Sequence, residues 1–199
     1  MDRIRKVLVS LLVMGVAGSV AGTGTFSAFS STTANPGNAF TAGTVTISDN
    51  DSGSSMLSLS NAKPGDSSTG CITTTYTGSL SANVRLYAST TSTLAQYLTL
   101  TITQGGGTPI TTSNVSFGSA CTNFTPDGSG SQIFNGTLSS FASTYTDFNS
   151  GLALNNISGS STWSQNNFRV YKFVVSLAND NNAQGLSSTV TFTWEADNT

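Results

Sequence analysis

Chemistry in this chain would have to come from a few scattered groups. The run Asp49-Asn50-Asp51-Ser52-Gly53 sets two carboxylates two positions apart ahead of a glycine, and Asp66 closes Lys63-Pro64-Gly65-Asp66. Oxygen ligands of this kind suit a hard cation such as calcium, although the terminal Glu of an EF-hand loop is missing. Both stretches are also ordinary turn sequences, in which Asp and Asn bond their own backbone and Gly supplies positive φ. The expectation is no cofactor, with Asp49, Asp51 and Asp66 as weak candidates for an extracellular calcium site. Cys71 and Cys121 stand fifty positions apart, which does not suit a CxxC redox or zinc motif. A structural disulfide fits an oxidising compartment, and two free buried thiols are the alternative. Closing such a loop stabilises a fold by about 4 kcal/mol in the chain-entropy model.

Other chemistry is excluded by what is missing. There is no histidine in the 199 residues, so Ser-His-Asp hydrolysis, HExxH metalloproteolysis and imidazole-only metal sites cannot be built. The reading is therefore a non-enzyme. Seven Lys and Arg against nine Asp and Glu, with a pI near 4.7, offer no basic stripe for nucleic acid. Solubility rests instead on 33 Ser, 31 Thr and 17 Asn.

The elements that would hold these groups begin with an export signal. Arg3, Arg5 and Lys6 precede an apolar run from Val7 to Ala21, then small and polar residues: a basic region, an apolar region and a cleavage zone. The run is shorter than the ~20 apolar residues of a membrane span, so no stable span is expected after cleavage. Ser19-Val20-Ala21 fits the general small-x-small rule for cleavage, whereas Phe26-Ser27-Ala28 carries an unusual aromatic. Counted from Phe29, Lys63, Arg85, Arg169 and Lys172 face eight acids, a net charge of −4. An acidic, sparsely charged secreted domain suits an extracellular matrix or appendage.

Period-two alternation dominates the rest. Thr44–Ile47, Asn83–Ala88, Leu98–Ile102 and Thr189–Glu195 alternate apolar residues with Thr or other polar ones, as half-buried strands do. Phe168–Leu177 is nearly continuous in apolar residues and reads as a central strand. Met56–Ser60, Cys71–Thr77, Val115–Phe117 and Ile133–Leu138 are shorter strand candidates, while Leu138–Phe148 and Thr93–Tyr97 suggest short helices. Breaks fall at 49–53, 63–66, Gly105-Gly106-Gly107, Pro126-Asp127-Gly128 and 179–185. Short strands with Gly and Asn turns predict an all-β, antiparallel sandwich of jelly-roll type with short loop helices.

Two terminal stretches carry a resemblance. GTGTFSAFSSTTANPGNAFTAG, then TVTIS, then LSNAKPGDS over residues 59–67, and QGLSSTVTFTWEA over 184–196, resemble the TasA and camelysin family of secreted proteins. The resemblance covers about a third of the chain; the middle, with its cysteines, does not match. It implies a signal peptide of residues 1–28 cut between Ala28 and Phe29 by a SipW-type signal peptidase. It also implies a structural subunit of extracellular fibres, in biofilm matrix or bundling pili, that joins its own copies by donor-strand complementation. The donor would be Phe29, Ser30, Ser31, Thr32, Thr33, Ala34 and Asn35, within an arm of residues 29–38 ahead of a sandwich domain of residues 39–199. Pro36 would mark a hinge, since it interrupts ladder pairing. The expected partner is the chain itself, at the cell surface or in the extracellular matrix. Some members are called metalloproteases, which the absence of histidine opposes.

The alternative is a secreted carbohydrate-binding or adhesin-type sandwich, with Trp163, Tyr145 and Phe148 as an aromatic platform; use of these rings in the core is the competing fate. Sequons at Asn114, Asn123, Asn135 and Asn156 would accept N-glycans in a host with that pathway.

Overall fold

Alternation along three long segments builds the first sheet. The computed structural model describes Arg3, residues 42–90 and residues 92–198; the leader, the Ala28–Phe29 bond and the arm of residues 29–38 lie outside them. The strands are β1 (Ile47–Asp49), β2 (Ser67–Tyr76), β3 (Ala82–Thr90), β4 (Leu98–Gly106), β5 (Thr125–Pro126), β6 (Gln132–Thr137), β7 (Leu152–Leu154), β8 (Thr162–Trp163), β9 (Phe168–Leu177) and β10 (Val190–Asn198). One sheet runs β1-β2-β9-β4, with β5 and β6 in succession along the far edge of β4. The other runs β10-β3, with β7 and β8 in succession beyond β3. Every pairing is antiparallel, as expected of the all-β sandwich.

Strand β9 lies between β2 and β4, with the limits expected from its sequence. Tyr171, Phe173, Val175 and Leu177 point to the second sheet and are buried. Phe173 meets Phe192 and Trp194 of β10 at centroid distances of 4.9 and 5.9 Å, so aromatic contacts join the two layers. Its other face is covered as well: Val170 packs with Cys71, Val115 and Phe124. A strand buried along its inner face and covered at Val170 on the outer one, with Lys172, Val174 and Ser176 half-buried, reads as a nearly continuous apolar run and so as central.

Two short helices also fall where expected. A 3-10 turn spans Thr93–Tyr97, and α1 (Leu138–Thr144) stops before Phe148. Thr137 caps α1 by accepting from the Ser140 N–H at 3.0 Å. Leu138 and Phe141, three apart and so on one face, are buried in the main core.

Lys63-Pro64-Gly65-Asp66 is a turn with a defined job. Pro64 presets one φ, Gly65 takes φ +88°, and the Asp66 carboxylate accepts from the Lys63 N–H at 2.7 Å. Leu177 accepts from Gly65 and donates to Asp66, so the turn is pinned to the end of β9.

Three strand expectations are corrected. Residues 44–46 bond residues 77–80 irregularly, and the ladder starts only at Ile47. Met56–Ser60 is not a strand: its Ser58 N–H bonds the Ser68 side chain, and Met56 crosses over Gly70, where any Cβ would lie 2.5 Å from the Met56 carbonyl oxygen. Val115–Phe117 is not one either, because Val115 is drawn under the disulfide. Gly105 and Gly106 continue β4 rather than break it; a Cβ on Gly106 would lie 1.8 Å from the Ile110 oxygen.

Candidate functional site

The disulfide forms. Cys71 and Cys121 are bonded with a Cα separation of 5.2 Å. Cys71 and Gly118 also exchange backbone hydrogen bonds at 3.0 Å each, so the loop between β4 and β5 is clipped over the outer face of the first sheet. Cys71, Val115 and Val170 make a small second core there, with Phe124 and Phe168 packed on it.

The two ends of the sandwich are chemically unlike. At the end where β9 finishes and β10 starts, a groove of about 510 Å³ opens between the sheets. Its walls include Leu57, Leu59, Leu138, Leu177, Leu186 and Val190. Segment 57–60 forms one lip and segment 186–190 the other. Strand β10 borders it, and among the described residues β10 pairs only with β3. One long edge of backbone donors and acceptors is thus free beside an apolar slot, and Leu186 is 36 % exposed.

At the opposite end the interior is polar. Arg169, opposite Thr74 in the β2–β9 register, is 2 % exposed and binds Asp127 at 2.7 Å. Its Nε and Nη1, the Tyr171 hydroxyl, the Thr74 Oγ1 and the Trp194 Nε1 are buried without partners among the described residues. Burial pushes the Tyr171 phenol far above its usual range, against the opposing pull of Arg169. A cleft of about 260 Å³ opens on this side, between the edge strands β1 and β10, with Asp49, Asp51, Thr74 and Trp194 in its walls.

Asp66 does not join Asp49 and Asp51, since the length of β2 separates it from Thr74. The platform does not assemble either. Trp163 is fully buried and donates to the Leu154 oxygen at 3.0 Å. Tyr145 packs on Phe141 at 4.8 Å, and Phe148 lies under Arg85. Asn156 is 3 % exposed and its amide donates to Thr162 and Asn167, so that sequon is closed to a glycan. The Arg169–Asp127 pair was missed because two opposite charges 42 positions apart carry no local signal; an Arg at an inward position of a central strand was the available clue.

A model of the family described as camelysin metallo-endopeptidase matches residues 3–100. This stretch holds most of the residues read from sequence as a leader, the turn at 63–66 and strands β1 to β3. The chain belongs to the camelysin and TasA family. No curated protein matches it. The peptidase in the camelysin description calls for a metal, and the residues here do not fit one of the usual catalytic type. Histidine is absent from the sequence, both cysteines are consumed in the disulfide, and among the described residues no three acids or cysteines cluster. Among those residues, too, no helix is long and apolar enough to cross a membrane.

Proposed function

We propose that this camelysin-family chain is a structural, non-enzymatic subunit of an extracellular fibre, polymerising head to tail by donor-strand complementation. Export and cleavage between Ala28 and Phe29 by a SipW-type peptidase would expose the arm of residues 29–38. The arm of one copy then adds as a strand to the next copy. The observation that carries this reading is the groove beside the free edge of β10. Backbone hydrogen bonds to an edge strand supply affinity, and pockets for alternate side chains supply specificity. The arm has one large apolar side chain, Phe29, whose burial contributes roughly 1.5–3 kcal/mol, and the groove has the volume to take it. A contact between different surfaces of successive copies does not close on itself and so propagates.

Deleting residues 29–38 from the mature protein tests the proposal. The expected product is a folded monomer by circular dichroism and size exclusion, with no filaments in electron micrographs. Leu186→Asp, which charges the lip of the groove without touching the arm, should give the same outcome. Filaments from either variant would sink the reading.

A further inference from the structure

We propose that the cleft between β1 and β10 is a calcium site, held by the carboxylates of Asp49 and Asp51 and the hydroxyl of Thr74. The proposal stands whether or not the chain polymerises. Asp49 shares a face of β1 with Ile47, which packs on the core, so its carboxylate sits at the mouth of the sandwich rather than on its outer surface. Asp51 lies on the same cleft. The Asp49 Oδ1 accepts from the Asp51 N–H at 3.1 Å, and the Asp51 Oδ1 accepts from the Gly53 N–H at 2.6 Å. The turn thereby fixes both carboxyl groups and leaves each Oδ2 without a recorded hydrogen bond. Among the described residues no Lys or Arg pairs with either, the one ion pair being Arg169–Asp127.

Two like charges fixed two residues apart on one cleft repel each other. A cation between them removes the repulsion. The independent observation is Thr74: it is 1 % exposed, its Oγ1 has no hydrogen-bond partner among the described residues, and it lines the same cleft. A buried hydroxyl without a partner carries its desolvation penalty uncompensated, and its oxygen lone pair is available to a hard cation.

The chemistry selects the metal. All three donors are oxygens, with no imidazole and no thiolate, which favours a hard ion over zinc or copper. The cleft is open and roomy, so water would complete the six to eight ligands that calcium takes. Trp194 Nε1, also unpartnered, is a donor and cannot bind metal; it is placed to hold such a water. Two carboxylates and an open face imply a weak site, on the order of 0.1–1 mM, as in extracellular modules. Because Asp49 and Asp51 belong to β1 and the turn after it, and Thr74 to β2, an ion there would brace that turn and the edge strand β1 against β2. The competing explanation is that Asp49 is an inward charge that merely blunts an edge strand against aggregation.

Terbium and calcium distinguish the two. In the mature protein, indole excitation should give sensitised terbium emission that calcium displaces, and 10 mM calcium should raise Tm by about 2–6 °C. The double variant Asp49→Asn, Asp51→Asn should lose both effects while remaining folded, since it removes only charge. Trp194→Phe should keep the calcium-dependent Tm shift and lose the emission, the other tryptophan, Trp163, being buried in a different part of the fold. Asp66→Asn should change nothing. No shift with calcium, or a shift that survives the double Asn variant, overturns the proposal.

Discussion

The two ends of this sandwich solve the problem of an open edge in opposite ways. Where β9 ends and β10 begins, the gap between the sheets is lined with leucines and valines and borders a strand that, among the described residues, is paired along one edge only. Where β9 begins, the gap is filled by Arg169, Asp127, Thr74 and Tyr171, several of whose polar atoms lack partners among the described residues. An apolar gap gains free energy from any apolar side chain that enters it, whereas a buried polar group gains only from a partner of matching geometry. The same fold thus offers a general slot at one end and a selective one at the other.

That contrast is open to direct attack. The largest effect is expected at the polar end. Asp127→Ala strands a guanidinium whose side chain is 3 % exposed, and breaking a buried pair from one side costs about 3–5 kcal/mol. Urea unfolding should record that loss. A cost under about 1 kcal/mol would mean that water already reaches Arg169 and that the ends differ less than described.

Two leucines on one face of β4 compare the closed interior with the groove. Leu100 is fully buried and Leu98 is 7 % exposed on the groove wall. Leu100→Ala should cost about 3–4 kcal/mol and Leu98→Ala nearer 2, because a cavity that opens on a groove can collapse or fill with water. Equal losses would show that the groove is closed in solution.

The smallest effect belongs to a turn at neither end. Hydrogen bonds from the Ser150 N–H and hydroxyl hold the exposed Asp147 carboxyl below its usual range. A lowered folded-state pKa gives stability that is present above the unfolded value and lost as pH falls through the folded one. Asp147→Asn should therefore lower Tm slightly at neutral pH and leave it unchanged in acid below both values, as a thermal scan across pH would show.

The sequence discloses some of this architecture and hides the rest for physical reasons. Phe168–Leu177 is legible because its inner face is buried from end to end and its outer face carries Phe168, Val170 and Val174, and Thr93–Tyr97 and the turn at 63–66 because their determinants are local. Met56–Ser60 misleads because its alternation arises from covering an edge, with side-chain instead of ladder bonds. Trp163 sits in a loop-like run of Ser and Asn, yet it is core, since burial there depends on pairing with β3, some eighty positions away, as well as on its bond to Leu154. Of the candidate cation ligands, Asp49 and Asp51 come together through two residues of local turn, while Thr74 enters only through strand pairing and Asp66 leaves for the same reason.

The clip between Cys71 and Cys121 has a mechanical corollary. If the folded domain is pulled from its two ends, the fifty-residue stretch between the cysteines is bypassed by a covalent link. At about 3.3–3.6 Å per extended residue, some 170 Å of chain stays locked away under load. Strands β3 and β4 lie inside that loop, so tension can peel them from their neighbours but cannot spool them out. A subunit built this way resists elongation through a bond rather than through its core, and reduction of that bond should lengthen its extended reach by the same ~170 Å, roughly 1.4-fold.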